Sequence, residues 1–316
     1  MNAYPDYRAS WQLRVVLPEP FDFSLTVAKP AGWHWSTPGE VFENGTLWSG
    51  TYVDSEPVGL KMSAAGRKVT VTAYVRSRLT NGEKHMLQTA IRLGLGEDED
   101  LNAFYAFARG DDVLSLAVKD LYGMRVARLD DLFGRVILAI TLQMAPLKRS
   151  QSMMAKLLAE YGTKIAFDSK EVVLWPSPSK IARLKPAELR HKANLGYRAD
   201  RLVKSASYLV EHPMSLSVLR SKPEAEAIEE VMEIPGIGRY SAGLIIGRTS
   251  VPVDVWSVVI MSELLLGRTP KNPRQEINEV TRAVDERWGK WSWMGFVYVL
   301  NDLRKLAMIY KLSRVT

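Results

Sequence analysis

Along the first quarter of the chain, apolar residues recur in short, strand-like runs: LRVVL (13–17), FSLTV (23–27), TLWSGTYV (46–53) and KVTVTAYV (68–75). Turn-formers at 18–20, 29–32, 43–45 and 65–67 separate them. Alternation is cleanest in the last run, where Val69, Val71 and Ala73 share one face and Thr70, Thr72 and Tyr74 the other. These runs predict an antiparallel sheet of about four to six strands. Beyond His85 the period lengthens. Apolar residues three and four apart predict helices over 101–108, 130–142, 150–161, 186–192, 199–211, 223–233, 239–248, 254–266, 274–288 and 292–312. Asp130-Asp131 and Ser150 fall where N-caps belong, and 168–179 reads as a loop. The fold class is α+β, with an antiparallel β domain over 1–86 followed by a helical part over 87–316.

The helical part contains one segment with a distinct grammar, 229–246 (EEVMEIPGIGRYSAGLII). Ile228, Val231 and Met232 form the apolar stripe of a first helix, which Pro235-Gly236 ends, because proline cannot continue the ladder and glycine accepts positive φ. Gly238 opens a second helix in which Ala242 and Gly243 permit close packing. A hairpin over 223–248 results. Its turn leaves the backbone N–H groups around Gly236 to Tyr240 at the positive end of a helix dipole, where a phosphate can approach without meeting a side chain. Such binding is directed at the nucleic-acid backbone and ignores base sequence. Sixteen residues after Gly238 comes Asp254, within VPVDVWS (251–257), where an extended Val-Pro-Val segment enters a helix. Asp254 there is either an N-cap or, set after a phosphate-binding hairpin, a carboxylate placed against a sugar.

Composition narrows the chemistry. The 316 residues, 47% hydrophobic and 24% charged, describe a globular chain of about two domains. Forty-two Lys and Arg against 35 Asp and Glu give a formal charge of +7, which permits a polyanionic partner. Zero cysteines exclude disulfides, thiolate nucleophiles, cysteine zinc sites and cysteine-ligated iron–sulfur clusters. The four histidines, at 34, 85, 191 and 212, lack ligand spacing. Residues 1–8 carry no signal pattern, and the longest uncharged stretch, 136–147, is shorter than the roughly 20 residues a membrane helix needs. A soluble, cytoplasmic protein is expected, associated with the nucleoid in a prokaryote or nuclear in a eukaryote.

IPGIGRYSAGLIIG followed by VPVDVWS resembles the helix-hairpin-helix DNA glycosylase superfamily, most closely its 3-methyladenine glycosylase II branch. Supporting similarities run over nearly the whole chain, in LGLGEDEDLNAFYAFARGDD, DDLFGRVILAITLQMAP, ANLGYRADRLVKSASYLV and WGKWSWMGFVYVLNDLRKL. The resemblance implies a helical domain in two halves and an enzyme of base-excision repair. This enzyme, a monomer acting on double-stranded DNA, flips a damaged purine out of the helix and hydrolyses its glycosidic bond. Asp254 would stabilise the oxocarbenium-like sugar and handle the water. The hairpin residues Pro235 to Arg239 would hold the backbone, with Gln143 and Met144 at the loop that fills the gap left by the flipped base. Tyr240, Trp256, Trp291, Trp293 and Tyr298 are candidate walls of the base pocket, where an alkylated, cationic purine is attracted to aromatic faces; each is equally a candidate core residue. A monovalent cation, sodium or potassium, would be held by the carbonyls of Ile234 and Ile237, with no other cofactor.

Tyr240 stands where strand-cutting relatives carry a lysine, which implies a monofunctional enzyme without lyase activity. The interval from Tyr240 to Asp254 is about one helical turn shorter than is usual in the family, and Val258-Val259 occupies a region where many relatives have an arginine. Three alternatives stay open: an 8-oxoguanine glycosylase, a non-catalytic helix-hairpin-helix DNA-binding module, and an enzyme for a small phosphorylated metabolite.

Overall fold

The computed structural model describes residues 7–31, 39–129, 131–145, 147–247, 251 and 253–315. Five strands, β1 (Arg8–Val16), β2 (Val41–Glu43), β3 (Thr46–Val53), β4 (Glu56–Ala65) and β5 (Lys68–Val75), form one antiparallel sheet in the order β1-β5-β4-β3-β2. The alternation in 68–75 is realised as expected, with Val69, Val71 and Ala73 buried and Thr70, Thr72 and Tyr74 part-exposed. A second sheet has two strands, β6 (Thr163–Phe167) and β7 (Lys170–Leu174), joined through Asp168 and Ser169, both at positive φ.

This β6–β7 hairpin replaces the loop expected over 168–179. Its turn residues adopt the left-handed pair that a two-residue hairpin needs, without the Asn-Gly signature that announces it. Ile165, Phe167, Val172 and Leu174 are buried together with Tyr7. Room for them comes from two glycines paired across β3 and β4. A Cβ on Gly59 would stand 2.5 Å from the Phe167 ring, and one on Gly50 2.9 Å from Leu174. The run FSLTV also departs from expectation. It is a helix, Phe23–Ala28, because Asp22 caps it by accepting from the Leu25 N–H at 2.8 Å, and this local bond outweighs a weak strand preference.

The helices begin and end close to where periodicity places them. Leu132–Leu142 is capped by Asp131, which accepts from the Gly134 N–H at 2.6 Å. Residues 130 and 248, expected as a cap and a helix end, lie outside the described residues. Ser150 is no cap. It sits inside the helix Leu147–Tyr161, buried, and donates to the Thr141 carbonyl at 3.0 Å. The last expected helix is two, Ser292–Asn301 and Leu303–Tyr310, interrupted at Asp302.

Two compact units are present, and both are discontinuous in sequence. One comprises 1–18, 34–97 and 127–246, and the other 19–33, 98–126 and 247–316. The change of element type near residue 86 is thus a different partition from the division into units, because both sheets share the first unit with many helices. Each unit has its own helical core. In the first, Leu132–Leu142 packs among Leu147–Tyr161, Arg198–Glu211 and the paired helices Glu224–Met232 and Arg239–Ile246. In the second, Leu101–Ala108 and Leu114–Asp120 pack with Ser257–Leu266, Pro273–Trp288, Ser292–Asn301 and Leu303–Tyr310. Among the described residues no helix is long and apolar enough to cross a membrane.

Candidate functional site

In the first unit, residues 233–238 join Glu224–Met232 to Arg239–Ile246. Ile228, Val231, Ile234 and Ile237 are buried and anchor this turn, while Gly236, Gly238, Arg239 and Tyr240 are exposed. The two glycines act differently. Gly236 has φ +87°, and a Cβ there would stand 3.1 Å from Arg201 Cβ, so backbone geometry requires it. Nothing lies within 4 Å of where a Gly238 Cβ would be. Its small size leaves the backbone at the start of the next helix open to a ligand. Arg239 is ion-paired with Glu229 across the open surface. Such an exposed pair contributes only about 0–1 kcal/mol, so a phosphate can displace the glutamate.

The helix Leu132–Leu142 delivers Gln143 and Met144 to the same unit. Met144 is 81% exposed and has φ +48°. A long apolar side chain held in water on a left-handed backbone costs about 1–2 kcal/mol in backbone terms alone, so its surroundings must impose the conformation. They do so through Gln143. Its carbonyl accepts from Arg198 Nη2 and from Nε at 3.1 Å. Its side-chain Nε2 donates to the Gly236 carbonyl at 2.9 Å, and its Oε1 accepts from Arg201. Gln143, which is expected as a DNA contact, braces the Met144 loop against the hairpin. Arg198 is almost fully buried, and burial pulls its pKa below the usual arginine value, Arg149 and Arg201 adding to the effect.

Asp254, in the second unit, is exposed and lies in the turn before Ser257–Leu266. Its Oδ1 accepts three hydrogen bonds, from the Ser257 N–H at 2.7 Å, the Trp256 N–H at 3.0 Å and Ser257 Oγ at 2.7 Å. The Asp254 N–H donates back to Ser257 Oγ at 2.8 Å. Oδ2 takes part in none of these bonds. The carboxylate thus caps the helix and is fixed by it, with one oxygen spent on orientation and the other directed to whatever approaches.

No protein-family model matches the chain. In sequence it is similar to the DNA-3-methyladenine glycosylase of Bacillus subtilis, at 24% identity over 211 residues, which are 65% of this chain and 68% of that protein. In structure it is similar to the 3-methyladenine DNA glycosylase from Archaeoglobus fulgidus, with a TM-score of 0.70 and 20% identity over 92% of this chain and 98% of the other. The chain has the fold of this glycosylase and is similar in sequence to DNA-3-methyladenine glycosylases. The chain also shares its fold with the 8-oxoguanine glycosylase/lyase of Clostridium acetobutylicum, solved with double-stranded DNA carrying cytosine opposite 8-oxoguanine. It matches with a TM-score of 0.68 and 16% identity over 96% of this chain and 99% of that one.

The five aromatic residues singled out by the superfamily resemblance divide by burial. Tyr240 is exposed in the first unit. In the second, Trp256, Trp291 and Trp293 are half-buried. Trp291 packs on Phe104 with the rings tilted by 53° and centroids 5.6 Å apart, and carries Lys290 Nζ 4.8 Å over its ring. Tyr298 belongs to the core. It is fully buried, its hydroxyl lies 2.8 Å from that of Tyr105 and donates to the Met124 carbonyl, and burial raises its pKa far above the usual value. It lies in the apolar helix Ser292–Asn301, most of whose residues are buried, which explains the placement.

Sequence reasoning left three contributors without a role: Arg198, Arg201 and Ser257. The Asp-x-x-Ser spacing at 254–257 is a capping signal and could have identified Ser257. Arg198 carried no comparable signal, since only the packed structure buries it beneath Gln143. The carbonyls expected to hold a monovalent cation are compatible with one. That of Ile234 accepts the Ile237 N–H at 3.0 Å, and a carbonyl oxygen keeps a second lone pair.

Proposed function

We propose that the protein is a monofunctional DNA glycosylase that turns an alkylated purine out of duplex DNA and hydrolyses its N-glycosidic bond. The observation that carries this reading is the Asp254 carboxylate, exposed and, among the described residues, fixed through Oδ1, in a chain that also carries the glycine-opened hairpin. The hairpin N–H groups hold a backbone phosphate, and Met144 enters the stack where the base has left. Flipping costs a few kcal/mol, less where damage has weakened the pair. As the bond to C1′ lengthens, the sugar becomes cationic and Asp254 Oδ2 stabilises it. Water then adds to C1′, and its proton passes to the carboxylate or to the departing base. An alkylated purine that is already cationic leaves as a neutral base, so no strong general acid is required. A monovalent cation on the Ile234 and Ile237 carbonyls would add positive charge beside the bound phosphate. Tyr240 in the hairpin offers no amine to form a Schiff base, in keeping with base release without strand cleavage.

The test is a panel of duplexes carrying 3-methyladenine, 7-methylguanine, hypoxanthine or 8-oxoguanine, with free base and strand nicking scored separately. Base release from the methylated purines without nicking is expected. Asp254→Asn is expected to lower release by at least about 100-fold while leaving duplex affinity within a factor of about two. Undiminished release by Asp254→Asn would reject the role of the carboxylate, and spontaneous nicking by the wild type would reject the monofunctional assignment.

A further inference from the structure

The turn that holds Asp254 is secured from a distant part of the chain. Arg314 Nη1 donates to the carbonyl of Val255, the residue after Asp254, at 3.1 Å. Val255 is itself 41% exposed, so this carbonyl lies at the surface beside the carboxylate turn. The segment bearing Arg314 follows the helix Leu303–Tyr310 and is tied down one residue earlier. Ser313 donates to Glu263 twice, from its N–H to Oε2 at 2.9 Å and from its hydroxyl to Oε1 at 2.5 Å. Thr269 Oγ1 donates to the same Oε1 at 2.7 Å. These bonds hold the Glu263 carboxyl below its usual range against the opposing effect of burial. Glu263 belongs to Ser257–Leu266, the helix that Asp254 caps. One helix therefore carries the carboxylate turn at its start and the clasp for Arg314 further along.

Arg314 also acts on Glu263 through its charge, which helps to lower that carboxyl's pKa. A guanidinium has five N–H donors in a fixed planar fork, and among the described residues one of them is engaged here, by a neutral carbonyl. The side chain is exposed. An exposed cation fixed at the carbonyl next to Asp254 suits the oxygen pair of a phosphodiester.

We infer that Arg314 is a phosphate-binding and positioning residue: it holds the Val255 carbonyl, and so the Asp254 turn, while gripping a DNA backbone phosphate beside the nucleotide that is cleaved. This inference rests on the glycosylase reading. Glu263 acts one step further out, by keeping Ser313 and hence Arg314 in place. It touches neither DNA nor Asp254.

The experiment measures duplex affinity of the full chain as a function of salt, together with kcat for base release, for wild type, Arg314→Ala, Arg314→Lys and Glu263→Ala. Neutralising one phosphate on duplex DNA contributes about 0.9 to the slope of log K against log salt. Arg314→Ala is expected to reduce the slope by about that amount and kcat by roughly tenfold. Arg314→Lys should restore the slope and leave kcat low, because a lysine keeps the charge but not the fork. Glu263→Ala removes a negative charge, which by net charge alone strengthens DNA binding, yet it should weaken binding and reproduce the slope loss. An unchanged slope in Arg314→Ala overturns the proposal, as does tighter binding by Glu263→Ala. A wild type that binds duplex and shows the slope difference but releases no base would instead reject the glycosylase reading. These binding arms need no turnover, so the two failures are distinguishable.

Discussion

Asp254 caps a helix through Oδ1, and the proposed glycosylase reaction assigns catalysis to its other oxygen. Ser257 makes this possible, since its hydroxyl donates to Oδ1 and accepts from the Asp254 N–H. Ser257→Ala deletes both bonds, and a net hydrogen-bond contribution of about 1 kcal/mol apiece sets the scale of the loss. We expect kcat for base release to fall by roughly tenfold, with the melting temperature lowered by about 2–4 °C. Ser257→Thr should retain both hydroxyl bonds and recover most of the activity. A full kcat in Ser257→Ala, measured at saturating duplex, would show that orientation of Oδ1 does not limit the reaction. Neither oxygen's role was readable from the chain alone, where Asp254 could equally have been only a cap.

At the scale of an element, the hairpin separates two uses of glycine that a motif cannot tell apart. Gly236 satisfies the backbone, and Gly238 leaves space for a ligand. Gly236→Ala should therefore destabilise the fold by about 1–3 kcal/mol through its positive φ. Gly238→Ala should leave the melting temperature within about 1 °C, on the order of the effect of a neutral surface change, while weakening duplex binding severalfold. Equal loss of stability in both variants, measured by thermal denaturation, would contradict this division. The Gln143 brace belongs to the same scale. Because its amide spans the Gly236 carbonyl and Arg201, the exposed Met144 and the hairpin are set by one side chain. The glycines, the proline and the order of helices were legible in the sequence. The brace was not, since Gln143 and Gly236 are 93 positions apart.

For the molecule as a whole, charge and protonation matter most. The +7 excess makes duplex binding strongly salt-dependent, as the slope measurements above would register. Stability carries a separate pH signature from Asp302, at the break between the last two helices. Its Oδ2 is buried without a hydrogen-bond partner among the described residues, and burial, with Asp120 nearby, raises its pKa to about 6. With a folded pKa above the unfolded one, the folded state binds the extra proton between about pH 4 and 6. Stability from this group therefore falls as pH rises through that window, and the cost is complete above it. Asp302→Asn, which resembles the neutral form, should melt higher than wild type at pH 7–8 and lose that advantage near pH 4. A wild type and variant that differ equally at both pH values would discount the buried carboxyl.

Local rules were enough for the amino-acid sequence to specify the alternation of β5, the periodic helices, the Pro-Gly-Ile-Gly turn and the aspartate sixteen positions after it. Periodicity, capping and glycine conformation act over a few residues, so they can be read in order along the chain. Tertiary structure decided the rest. It converted the run after Asp22 into a helix, turned 163–174 into a strand pair seated on Gly50 and Gly59, and placed Tyr298 in the core. It also buried Arg198 under Gln143 and brought Arg314 to Val255, 59 positions away. Those outcomes depend on which surfaces meet and which polar groups lose their water, and neither is a property of any single segment.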